Sequence, residues 1–432
     1  MPILYVHGVN TRSRDGFLAM EGFLRRYVAP ALTDDPDGVL IDDAYWGDAG
    51  VKLAWDGISR PRSRLLGQGA DASAVSDLQG ALTAASLADA LGRVPEPAAP
   101  SGASGGLLAG GSTAAAGAPA LRLHRLTPAA LSDLLAVTIA GASAPSPEQT
   151  RLILAADEVA EDPATAAALA SAATPEDELE LLLDLVRARA GEPPAEALRG
   201  MGAGGFWSRI GDRMRETADR ALGLPAYAVS VAAAELRGPL NDLVSVFAGD
   251  VFVYLTGRGE AGAPGPIPTI LLDKLAAADA NKQARGGEPL VVLTHSMGGQ
   301  LVYDALTHFL PRTPALRGIR VDFWCATASQ VGFFEEAKLF LASDKSIREP
   351  DRVSFPGAHL GVWWNVWDHN DVISFTARDI IDGVRDGPYD TGLSLASAHG
   401  GYLTRPSFFR RFAEELATAK AAGWRTPGGQ DR

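Results

Sequence analysis

Alternation of short apolar runs with amphipathic segments, the pattern of a parallel sheet with helical crossovers, occurs at both ends of this chain and not in its middle. The chain opens on Ile3 to Val6. The loop HGVNTRSRDG follows, and then a segment whose Phe17, Met20, Leu24, Tyr27 and Val28 share one helical face. A second strand is expected in GVLIDDAYWGD, near residues 38 to 46. Residues 51 to 285 hold no convincing strand. Alternation resumes at PLVVLTH, with GGQLVYDALTHFL as a helix and IRVDFWCATA and LGVWWNVW as strands. DIIDGV reads as the last strand and PSFFRRFAEELA as the closing helix. Residues 1–50 and 286–432 are therefore read as one α/β domain with a mainly parallel sheet, interrupted by an all-helical insertion over 51–285.

Inside the insertion, Thr127-Pro128, Ser146-Pro147, Asp162-Pro163 and Thr174-Pro175 each pair an oxygen-bearing cap residue with a proline. At the first helical position the missing N–H of proline costs nothing, so four helices are expected to start there. Leu179, Leu181, Leu182, Leu183, Leu185 and Val186 give the last of them a broad apolar surface. Residues 94–120 are a Pro/Gly/Ala/Ser tract, read as a flexible linker. A packed bundle is the plain reading of this region; a mobile lid that touches lipid, giving peripheral membrane contact, is the alternative.

Bulk properties exclude some roles. A formal charge of -13 over 432 residues, with no local basic patch, argues against nucleic acid as a partner. No apolar stretch reaches the ~20 residues of a membrane span, and MPILYVHGVN has no leader pattern, so a cytoplasmic location is the default expectation. The lone cysteine, Cys325, lies in VDFWCATA and reads as a buried strand residue.

The tract PLVVLTHSMGGQLVYDAL sets Ser296 between a strand and a helix. A serine hydroxyl is a poor nucleophile that needs exposure on a sharp turn, a base, and donors for the oxyanion it generates. Small neighbours make such a turn sterically feasible; here they are Thr294 before and Gly298 after. This stretch resembles the nucleophile elbow of the α/β-hydrolase superfamily, particularly its lipases and esterases, with Thr294 in place of the first glycine. The resemblance covers fewer than half of the residues.

The resemblance implies an α/β-hydrolase fold lacking its first strands, and a triad in the order serine, acid, histidine. Asp371, in the turn DHNDVIS, would be the acid, with Asp368 as the alternative; His399, in ASAHGGYLTRPSFF, would be the base. The spacings leave room for intervening elements, since Asp371 follows Ser296 by 75 residues and His399 follows Asp371 by 28. His7-Gly8-Val9-Asn10 resembles the superfamily's oxyanion segment, so the Val9 and Met297 N–H groups would bind the oxyanion, supported by His7, Gly8, Asn10, His295 and Gly298.

The implied activity is hydrolysis of a small-molecule or lipid carboxylic ester through an acyl-enzyme, with no cofactor or metal; Asp368, His369 and Asp371 match no specific metal signature. Acyl transfer, thioester hydrolysis and amide hydrolysis use the same triad. A non-catalytic scaffold that binds a partner through the insertion, and an effector whose lipase activity attacks membranes, are the rival classes. His308 and His359 read as structural or solvated, and His124 sits in the insertion. Trp324, Trp363, Trp364 and Trp367 hint at an apolar substrate, although core packing explains most such residues.

Overall fold

The computed structural model describes residues 2–55, 122–142, 146–191, 237–391 and 398–425, together with 207, 210, 211 and 214. The 94–120 tract lies outside them. A six-stranded sheet forms the centre: β1 (Pro2–Val6), β2 (Leu40–Asp43), β5 (Val291–His295), β6 (Val321–Thr327), β7 (Leu360–Trp367) and β8 (Arg385–Pro388). Its order is β2-β1-β5-β6-β7-β8, and every neighbouring pair is parallel. A two-stranded hairpin of β3 (Gly259–Glu260) and β4 (Ala263–Pro264) stands apart, inside the segment that the sequence reading takes as all-helical. This is an α/β architecture with helices on both faces of the sheet.

Strand side chains alternate between the faces with the period of two that a pleat imposes. Tyr5, Leu293, Cys325 and Trp364 enter one core; Val6, Val292, Trp324 and Trp363 enter the other. The first core takes in the helix Asp15–Phe23, which continues to Leu32, and the closing helix Pro406–Ala421. The second takes in Tyr254, the helix Pro266–Ala284 and the helix that starts at Gly298. All four tryptophans of the β6 and β7 segment belong to this framework: Trp324 stacks on Trp363 at 4.2 Å, Trp364 packs on Phe408, and Trp367 meets His369 edge-on.

The four proline-led helices begin at Pro128, Pro147, Pro163 and Pro175. Ser146, Asp162 and Thr174 accept backbone N–H bonds as caps, and Thr174 with Asp177 closes a reciprocal capping box. These helices do not build a separate core. Leu131, Leu135, Leu152 and Leu182 lie in the same apolar cluster as Phe17, Phe23 and Phe408 of the sheet's own helices. A buried polar hub joins them as well: Asp157 accepts from Ser132 within the insertion and from Tyr27 outside it, each at 2.6 Å, and pairs with Arg410.

Two boundaries differ from the sequence reading. Pro266–Ala284, placed with the insertion, covers the sheet as the helix leading into β5. The last strand is Arg385–Pro388, just after DIIDGV; Ile381 makes only an isolated bridge to Val353, because Gly383, at φ +74°, turns the chain before it reaches the sheet. Among the described residues no helix is long and apolar enough to cross a membrane.

Candidate active site

The strand order reverses at β1: the chain moves outward to β2, then returns past β1 to β5. Such a reversal opens a crevice beyond the carboxyl ends of the two central strands. His7 and Gly8 leave the end of β1 there, and Ser296 follows the end of β5.

Ser296 sits at φ +53°, a left-handed conformation that an L residue adopts at a cost of ~1 kcal/mol, and it is buried in the turn, not exposed as the sequence reading expects. The turn is held on both sides: the Ser296 N–H donates to Thr327 O at 2.9 Å, and its carbonyl accepts from Gly299 N at 2.9 Å. A Cβ on Gly298 would lie 2.3 Å from Val6 O, and one on Gly8 would lie 2.7 Å from Ser296 Cβ. Glycine at these two places is what lets the two strand ends approach. Thr294 is accommodated because its hydroxyl accepts from Trp324 Nε1 at 3.0 Å instead of crowding the turn.

Asp371 and His399 meet. His399 Nδ1 lies 3.0 Å from both Asp371 oxygens, and a carboxylate accepts, so Nδ1 carries the proton and Nε2 presents a lone pair. Asp371 is 3% exposed and takes further bonds from Tyr402 OH at 3.1 Å and Ile373 N at 3.2 Å. Among the described residues His399 Nε2 is buried without a hydrogen-bond partner, and no hydrogen bond joins it directly to Ser296 Oγ. Asp368, the alternative acid, is occupied elsewhere: it accepts from Asn370 N, from Thr391 N at 2.8 Å and from the Thr391 hydroxyl at 2.5 Å.

His295 donates from Nε2 to His399 O at 2.7 Å, and the two rings lie 4.9 Å apart. Burial lowers its pKa to about 4, keeping it neutral. It therefore ties the strand carrying Ser296 to the loop carrying His399. His7 has both ring nitrogens assigned: Nδ1 donates to Gly8 O at 2.7 Å, and Nε2 accepts from Trp46 N at 2.9 Å. Desolvation brings its pKa to about 4 too, and it stacks on Trp46 at 4.8 Å. His7 fixes the turn rather than exchanging protons.

No protein-family model, curated protein or solved structure matches this chain.

The N–H groups of Val9 and Met297 donate to no protein acceptor among the described residues. Asn10, in a left-handed conformation at φ +59°, donates its N–H to Asp250 Oδ2 at 2.9 Å. Asp250 is fully buried and also accepts from Arg12 and from Val51 N, each at 2.7 Å, so one carboxylate braces the whole turn after β1. Sequence reading missed it; its only signal is an acid inside the apolar run SVFAGDVFVYL.

Gln330 was missed too. Its Nε2 donates to Ala328 O at 2.6 Å and to Ile373 O at 2.7 Å, and lies 3.5 Å from Ser296 Oγ, while its carbonyl accepts from Gln300 at 2.7 Å. Gln330 thus links the Ser296 turn to the Asp371 turn. Three further histidines are structural: His124 contacts Glu178 at 2.5 Å, His359 donates to Ile319 O at 2.8 Å, and His308 lies 3.2 Å from Glu260; His369 is exposed.

Proposed function

We propose that this protein is a serine hydrolase of the α/β-hydrolase type that cleaves carboxylic esters through an acyl-enzyme on Ser296. The observation that carries this reading is the pairing of a serine at φ +53° on a strand-to-helix turn with a histidine whose Nδ1–H is held by a buried carboxylate and whose Nε2 is unpartnered. The strand order and the convergence of residues 7–9, 296–297, 371 and 399 at one end of the sheet support it.

In this mechanism His399 Nε2 takes the Ser296 proton as Oγ attacks the ester carbonyl. Asp371 holds the imidazole tautomer and stabilises its cation. The carbonyl oxygen becomes an oxyanion received by the Val9 and Met297 N–H groups. His399 then returns the proton to the departing alcohol. Water, activated by the same imidazole, hydrolyses the acyl-enzyme and regenerates Ser296. The absence of a direct Ser296–His399 bond is compatible with this, since catalytic hydrogen bonds often tighten only when substrate is bound.

The test is labelling with a fluorophosphonate, wild type beside Ser296→Ala and His399→Ala. Labelling that needs both residues establishes an activated serine; a folded wild type that takes no label overturns the reading.

A further inference from the structure

A cavity of about 190 Å³ lies between the first helix, the His7 end of β1, the insertion helix Pro147–Glu161 and the loop after His399. Its apolar wall is made by Phe17, Met20 and Phe23 on one side, Ile153 on another and Leu403 on a third. Two of its lining residues touch the proposed machinery in sequence: His7 precedes Gly8, which abuts Ser296, and Gly400 follows His399.

We propose that this cavity receives the apolar arm of the ester, a short aliphatic chain or a single aromatic ring of about six to eight carbon atoms. The inference rests on the serine-hydrolase reading and adds to it a substrate class. Size sets the upper limit. An apolar cavity of ~150 Å³ holds benzene, whereas sites for larger ligands start at ~300 Å³. A long acyl chain would overrun this cavity. Charge sets the second limit: Arg14 and Asp43 are the ionised side chains on the wall, and they pair with each other through two hydrogen bonds. Among the described residues no free cation or anion is left on the wall to hold an ionised arm, so the arm is neutral.

The insertion enters this site as a fixed wall. Thr150, one turn before Ile153, donates its hydroxyl to Ala19 O at 2.5 Å, and its methyl occupies the space above Gly22 that a Cβ would need. The helix bearing Ile153 is thereby clamped against the helix bearing Phe17 and Met20. The size of the accepted arm is built into the packing of the insertion on the sheet domain.

Two ester series test this, nitrophenyl esters of lengthening acyl chain and acetates of lengthening alcohol, on wild type, Gly16→Leu and Leu403→Ala. Gly16 lines the cavity and an added Cβ there meets nothing within 4 Å; Leu403 is only partly buried. Wild-type kcat/KM is expected to peak near six to eight carbons in one series, with each misplaced methylene costing about tenfold or more. Leu403→Ala should move the peak to longer chains and Gly16→Leu to shorter ones. A flat profile, a peak at twelve carbons or more, or variants that unfold in urea like wild type without moving the peak would overturn the inference alone. Loss of Ser296-dependent labelling in wild type would instead remove the hydrolase reading beneath it. A readout free of turnover is the Met20 methyl resonance in Ser296→Ala: 1-hexanol should displace it, and an unmoved signal counts against the site.

Discussion

Gly8 and Ser296 stand so close that a methyl group on residue 8 would lie 2.7 Å from Ser296 Cβ and 3.0 Å from His295 O. Gly8→Ala must push the turn after β1 away from Ser296, displacing the Val9 N–H, the proposed oxyanion donor. Loss of one oxyanion donor costs ~10²–10³-fold in rate. The fluorophosphonate labelling rate of Gly8→Ala is expected to fall by about that factor, while Gly318→Ala, which meets nothing within 4 Å, labels like wild type.

The left-handed Ser296 carries strain that glycine would relieve and alanine would not. Both substitutions remove the hydroxyl, so their difference isolates the backbone. Ser296→Gly should be more stable than Ser296→Ala by ~1 kcal/mol in urea unfolding. Equal stability of the two would show that the turn is unstrained.

Gln330→Leu keeps a similar shape but strips the donors from Ala328 O and Ile373 O and leaves Gln300 Nε2 without its acceptor. Buried groups left unpaired cost ~1–3 kcal/mol each, so the melting temperature should fall. Because Gln330 also couples the Ser296 turn to the Asp371 turn, the labelling rate of the remaining folded protein should drop about tenfold or more. A lower melting temperature with an unchanged labelling rate would assign Gln330 to packing alone.

His7 and His295 are both held neutral in the fold, with pKa values lowered from 6.5 to about 4 by burial. Below pH 6.5 the unfolded chain binds protons that the native state refuses. Stability is therefore fully present above about pH 6.5 and is lost progressively as pH falls toward 4. For His7, 2% exposed, the loss is up to ~3 kcal/mol. Urea unfolding of wild type and His7→Asn across this range should show a shallower pH slope in the variant.

What was legible in the sequence was local. Ser296, with its strand before and helix after, and the four cap-and-proline helix starts are written within a few residues of themselves. Asp371 and Asp368 were not separable by sequence, because the choice depends on Thr391 drawing Asp368 away, an interaction across 23 residues. Asp250 reaches Asn10 across 240 residues, and Gln330 reaches Ser296 across 34; no periodicity records such contacts. The insertion's shared core was hidden for the same reason, since an apolar face announces burial but not its partner.

The pairing of β1 also sets a timetable. Ile3 binds Ile41 along one edge and Val291 along the other, so its second neighbour is encoded 250 residues after its first. At ~5–20 residues per second a ribosome needs roughly 10 to 60 s to bridge that gap. Throughout that interval PILYV, every residue of which is buried in the finished protein, emerges with one ladder open. The nascent chain is thus most prone to stick to other chains well before its site can exist, and chaperone demand should end only when VVLTH has been made.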